Sequence, residues 1–198
     1  MKKLLLCVFL ICNLFVFAQS KKEMLAEMDG KYNVDDNNNV TITKIIEIDG
    51  LKKEEIYPRV LAYFTYNYGN GESVIQVQEK ENGLIIGKGI YDNVHVGYSL
   101  VTTEIDLWHV IRVDIKDSKV RVFITLTEYK TKTIGGNTPP SYGTLKVSDS
   151  YPINPKGWQS TIYTKALYKG TKMAYKSIES IEKSIKEGNT NSAENSGW

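Results

Sequence analysis

The chain has 198 residues, a formal charge of +2, two histidines and two cysteines. That length fits a single domain. Both cysteines, Cys7 and Cys12, lie in the opening apolar run, so a thiolate metal site, an internal disulfide or a cysteine nucleophile each depends on that run being retained. Removing residues 1–18 takes away two lysines and no acid, which leaves 23 basic against 23 acidic side chains and no thiol. A neutral chain without clustered Lys and Arg lacks what a phosphate backbone requires, so nucleic acid is not expected as a partner.

Met1-Lys2-Lys3 followed by LLLCVFLICNLFVF at Leu4–Phe17 has the order of a secretory signal peptide, with Val16 and Ala18 at −3 and −1 of a cut after Ala18. The run is too short for a comfortable permanent anchor, and no transmembrane segment is expected after cleavage. Leu10 and Ile11 before Cys12 disfavour lipidation. The expected location is therefore exported, either periplasmic or extracellular.

Residues 19–39 form a polar lead-in: helix-prone KKEMLAEM, then Asp35-Asp36-Asn37-Asn38-Asn39, whose short side chains favour turns. Asp35, Asn37 and Asn39 alternate as calcium ligands do. Val40 and Ile46, however, occupy the positions that need glycine and a bidentate glutamate, so a turn is the better reading. Val40, Ile42, Ile46 and Ile48 share one parity of a strand with one wet face. After Asp49-Gly50, Ile56, Val60, Leu61 and Phe64 recur at helical spacing behind Glu54 and Glu55. Pro58 must sit near the first turn or kink this helix.

SVIQVQEK and GLIIGKGIY read as strands joined through Glu81-Asn82-Gly83, where Asn-Gly supplies the positive φ of a tight hairpin turn. Gly87 and Gly89 share one strand face, which suggests close approach by a helix; the alternative is a weakened edge strand. A second hairpin runs from Leu107 to Tyr129 about Asp117-Ser118. Leu107, Ile111, Val113 and Ile115 face Val120, Val122, Ile124 and Leu126 as core. Residues 131–158 lose periodicity and gather glycine and proline, as a long ordered loop or lid does. Ile162, Ala166, Met173, Ala174, Ile178, Ile181 and Ile185 stripe a long helix interrupted at Gly170, and 188–198 read as a disordered tail.

Asp49-Gly50-Leu51, the helix start Lys52-Lys53-Glu54-Glu55-Ile56-Tyr57, Ile75-Gln76 and Ile85-Ile86-Gly87-Lys88-Gly89 together resemble a secreted bacterial family of unknown function with a TATA-binding-protein-like (TBP-like) fold. The resemblance covers roughly residues 40–130. It implies an α+β domain over 40–187 in the order strand, helix, four strands, helix, with an antiparallel-rich sheet and the helices on one face. Pro58 and residues 131–158 depart from the pattern, and the family transfers no activity or catalytic residue.

Little else points to chemistry. No nucleophile elbow, phosphate-binding loop or dinucleotide fingerprint is present. His95 and His109 have no zinc-binding spacing, and His109 shares the parity of Ile111, as a core histidine would. No cofactor or metal is expected. The chain does carry thirteen tyrosines. On the face opposite the core, parity places Ile45, Trp108, Val110, Arg112, Arg121, Phe123, Thr125 and Tyr129. Of these, Trp108, Arg112, Arg121, Phe123 and Tyr129 are the candidate ligand-binding residues, because aromatics with arginines suit recognition of an envelope protein, peptide or glycan. The alternative is that they pack beneath 131–158 or the last helix. The expected role is a noncatalytic binding or accessory module of the cell envelope. The competing reading is an envelope hydrolase with its site beneath 131–158.

Overall fold

The computed structural model describes residues 19–68, 74–98, 100–136, 138–150 and 159–188. The expected signal peptide at 1–18, residues 151–158 of the expected loop and all but Gly188 of the expected tail lie outside them. Helix α1 (Lys21–Met28) opens the described fold with Ser20 as its N-cap: the Ser20 hydroxyl accepts from the Glu23 N–H, and the Glu23 carboxylate accepts from the Ser20 N–H. Strand β1 (Asn33–Val34) pairs with β2 (Val40–Glu47) across a turn in which the Asp35 carboxylate accepts from the backbone N–H of Asn37 and Asn39.

Helix α2 (Lys53–Asn67) then leads to β3 (Ile75–Glu79), β4 (Leu84–Tyr98), β5 (Thr102–Lys116), β6 (Lys119–Ile134), β7 (Ser141–Lys146), the single turn α3 (Val147–Ser150) and the 29-residue α4 (Gln159–Glu187). The seven strands form one antiparallel sheet in the order β1-β2-β6-β5-β4-β3, with β7 also on β6. From β2 onward this is the expected strand, helix, four strands, helix, with β7 and the turn α3 added between β6 and α4.

Core formation follows parity. The eight residues assigned to the central hairpin, from Leu107 to Leu126, are all buried, as are Val40, Ile42, Ile46 and Ile48. They pack against α2 and α4, which lie on the same side of the sheet. Two breaks in the packing surface let the helices come close. At Gly87 a Cβ would stand 2.5 Å from Phe64 Cε1, and at Gly89 2.5 Å from Tyr68 Cε1. Phe64 of α2 and Tyr68 at its C-cap thus fill the space that side chains on β4 would take, so the glycines mark close approach by a helix. Gly170 does the same for α4, since a Cβ there would lie 2.2 Å from Leu107 Cδ2. The interruption in the stripe of α4 is therefore a point of close contact with the sheet.

The structure revises several local expectations. The lead-in is part of the fold: α1 docks on α4, burying Met24 and Met28, and the Tyr168 hydroxyl donates to Glu27 Oε2 at 2.6 Å. Pro58 is the sixth residue of α2, beyond the first turn, and the helix continues through it. The β3–β4 hairpin forms, with only Gly83 of its turn at positive φ (+65°). Residues 131–134 continue β6 and 141–146 form β7 on its edge, so these parts of the expected lid lie in the plane of the sheet, and 147–150 form α3. The sequence hid β7 because a strand exposed on both faces has no alternation to show.

Overpacking of the Phe64 contact gives a direct test. Gly87→Ala is expected to destabilise the fold by about 1–3 kcal/mol. Gly97→Ala, whose Cβ would meet nothing nearer than 3.5 Å, should change stability by less than about 1 kcal/mol. Urea unfolding with an unchanged m-value distinguishes the two.

Candidate functional site

The face of the sheet turned away from the helices is a set of cross-strand rows. Ile86, Arg112, Phe123 and Thr43 lie across β4, β5, β6 and β2, and the next row holds Leu84, Asp114, Arg121 and Ile45. Lys88, Val110, Thr125 and Thr41 follow on the other side. Ile90, Trp108 and Glu128 make the last row. Apart from Glu128, alternation puts these side chains together, because their neighbours in sequence are core.

Charge on this face is organised by two anchors. Asp114 receives Arg112 Nε at 2.8 Å and Arg121 Nη2 at 2.7 Å, which fixes both guanidinium groups while leaving each about half exposed (51%). Burial acts to raise the Asp114 pKa, but the hydrogen bonds from Arg112 and Arg121 outweigh it and hold the carboxyl below its usual value. Arg121 also lies over the Phe123 ring at 4.8 Å. The second anchor is Trp108. Lys88, from the strand on one side, lies 4.8 Å from its ring centroid, and Lys130, from the strand on the other, lies 4.9 Å away. Trp108 Nε1 is buried with no hydrogen-bond partner among the described residues.

Four of the five residues expected here are in place. Tyr129 is not. It pairs with Leu107 on the core face, is fully buried, and stands 5.1 Å from the Tyr163 ring of α4. The cause is a bulge in β6: Trp108 pairs with Glu128 and His109 with Leu126, so Thr127 has no opposite residue and parity inverts beyond it. The Thr127 hydroxyl donates to the Trp108 carbonyl at 3.1 Å. The outer edge of β6 also changes partner at this point, from β2 up to Leu126 to β7 from Glu128. The same inversion brings Lys130 to Trp108, a pairing that strict alternation would not show. Lys130 is thus part of the site.

A second constellation lies under the helices. His109 is fully buried; its Nε2 meets the Tyr68 hydroxyl at 2.9 Å, and the Tyr91 ring stacks on its imidazole at a centroid distance of 3.8 Å. The Tyr91 hydroxyl in turn meets Ser177 Oγ of α4 at 2.9 Å. Burial holds His109 down to about 4, with the Leu107 backbone opposing it, so the imidazole is neutral near pH 7. Burial likewise raises Tyr63, Tyr68 and Tyr91, which stay protonated. The tyrosine excess hinted at this cluster, but its members come from four elements and no spacing links them. Among the described residues no group of three or more His, Cys, Asp or Glu could hold a metal ion, and no helix is long and apolar enough to cross a membrane.

Residues 43–130 match the model of a domain of unknown function, DUF4468, with TBP-like fold. A TBP-like protein from Parabacteroides distasonis ATCC 8503 aligns with a TM-score of 0.56 at 14% identity, covering 76% of this chain and 97% of that one. A DUF4468 family protein from Bacteroides ovatus ATCC 8483 aligns with a TM-score of 0.52 at 16% identity, covering 78% and 91%. No curated protein matches the chain. These likenesses establish the fold as TBP-like α+β, and fold carries no activity with it.

The neutral buried imidazole makes a pH prediction. His109 has a folded pKa near 4 against an ordinary 6.5, so its contribution is complete above about pH 6.5 and is lost as pH falls toward 4. Over that window the stability of the wild type should fall relative to His109→Gln by about 1.4 kcal/mol per pH unit at most. Urea midpoints at about pH 7.5, 5.5 and 4.5 test this; parallel profiles for the two proteins would contradict it.

Proposed function

Starting from residues 43–130 as a DUF4468 domain with TBP-like fold, we propose that the protein is a noncatalytic binding module of the cell envelope whose contact surface is the open sheet face. The observation that carries the reading is the arrangement of Trp108, Arg112, Arg121 and Phe123 on a face that no described helix covers. Trp, Arg and aromatic side chains dominate the energetics of protein recognition. Here Asp114 pins both arginines and Trp108 holds two lysines, so less side-chain entropy is lost when a partner arrives. Cations rim the face from both ends, which favours an acidic protein or peptide segment.

A noncatalytic role accords with the chemistry of the site. Both histidines are buried, and burial lowers each to about 4. Neither therefore serves the exposed face as a general base near neutral pH. Export is part of the same proposal and rests on the basic start and apolar run before Ala18. A cut there leaves the Ser20–Glu23 capping box of α1 intact. N-terminal sequencing of the exported protein should begin at Gln19, and a protein retaining Met1 would contradict export by this route.

Site-specific photocrosslinking in the native envelope tests the surface. A benzoylphenylalanine replacing Ile45, which is 55% exposed on the open face, should give a discrete adduct. The same group replacing Lys183, exposed on α4, should give none. Arg121→Glu should reduce the Ile45 adduct at least about fivefold, an effect within reach of losing one interface charge. Adducts of equal yield from both positions, or none from position 45, would overturn the proposal.

A further inference from the structure

On the helix side of the sheet, away from Trp108, a cavity of about 460 Å³ opens between α2, β4 and α4. That volume is within the range of small-molecule sites, roughly 300–1,000 Å³. Hydroxyl groups build one wall. The Tyr91 hydroxyl and Ser177 Oγ are 2.9 Å apart, the Tyr63 hydroxyl adjoins Ser177 and Tyr68, and Tyr68 is held by His109. Tyr63 is 3% exposed and Tyr91 7%, so these polar groups are fixed in the packing of the fold. Each hydroxyl has one rotatable hydrogen and two lone pairs, so the cluster can donate to a ligand or accept from it. Asp92 and Lys176 also line the cavity and cancel in charge, while Met173 supplies an apolar surface.

We propose that this cavity binds a neutral saccharide of one or two rings. A sugar presents alternating O–H donors and acceptors, which match a wall of hydroxyls, and an apolar C–H face, which suits Met173 and the tyrosine rings. A charged ligand fits poorly. The burial that keeps Tyr63, Tyr68 and Tyr91 protonated disfavours an anion at the same depth, and the lining has no net charge to offset one.

Titration calorimetry and saturation-transfer NMR with glucose, galactose, N-acetylglucosamine and maltose, against glucuronate, test the assignment. At least one neutral sugar should bind saturably with a Kd of about a millimolar or tighter. Glucuronate should bind at least about tenfold more weakly, the cost of desolvating its charge. Tyr91→Phe removes a hydroxyl, and Met173→Trp fills the cavity without touching the hydroxyl cluster; each should weaken the sugar at least about tenfold. Arg121→Glu, on the other side of the sheet, should leave the sugar affinity unchanged, so failure here and failure of the open-face proposal are distinguishable. Silence from every neutral sugar, tighter binding of glucuronate, or full affinity in Met173→Trp would overturn the assignment.

Discussion

The structure depends on one packing constraint: the core face of the sheet must be hollow where the two long helices cross it. Gly87 and Gly89 of β4 give up their side chains to Phe64 and Tyr68, and Gly170 of α4 gives up its own to Leu107. With a Cβ at any of these positions, the side chain packed against it would have to shift. Because the contacts are so close, α2 and α4 commit to a single face, and the apolar parity of β2, β4, β5 and β6 is spent there. The opposite face carries a mixture of aliphatic, aromatic, polar and charged side chains.

The hollow also explains the buried polar node. Tyr68 reaches His109 only because Gly89 has no side chain: a Cβ there would stand 2.9 Å from His109 Nε2 as well as 2.5 Å from the Tyr68 ring. The imidazole is then held between a hydrogen bond from α2 and the stacked ring of Tyr91 on β4, whose hydroxyl carries the network to Ser177 of α4. One neutral histidine thereby ties together three elements that the chain brings from far apart. A buried polar group of this kind costs stability unless it is bonded, so its hydrogen bond to Tyr68 also fixes where the end of α2 lies on the sheet.

Much of this was legible in the sequence, for reasons that can be stated residue by residue. Strict alternation from Leu107 to Ile115 and from Val120 to Leu126 fixed the core hairpin and, by exclusion, placed Trp108, Arg112, Arg121 and Phe123 on the open face. Tyr129 went astray because alternation counts residues, and the unpaired Thr127 inserts one that no composition signal marks. Edge strand β7 was read as loop because neither of its faces is buried. The pairing of Lys88 and Lys130 with Trp108, and the meeting of Tyr63, Tyr68, Tyr91 and Ser177, depend on strand register and helix placement, which spacing along one element cannot encode.

The central claim is that the two faces of the sheet are unlike: one packed against helices, the other open and rimmed with cations. Quenching of Trp108 fluorescence tests it most directly, in a variant with Trp158 and Trp198 replaced by phenylalanine. Iodide should quench Trp108 more strongly than caesium at equal ionic strength, because Lys88 and Lys130 concentrate the anion at the ring. That preference should disappear in Lys88→Gln, Lys130→Gln. Equal, weak quenching by both ions in the parent protein would mean that the face is covered, and would contradict the account.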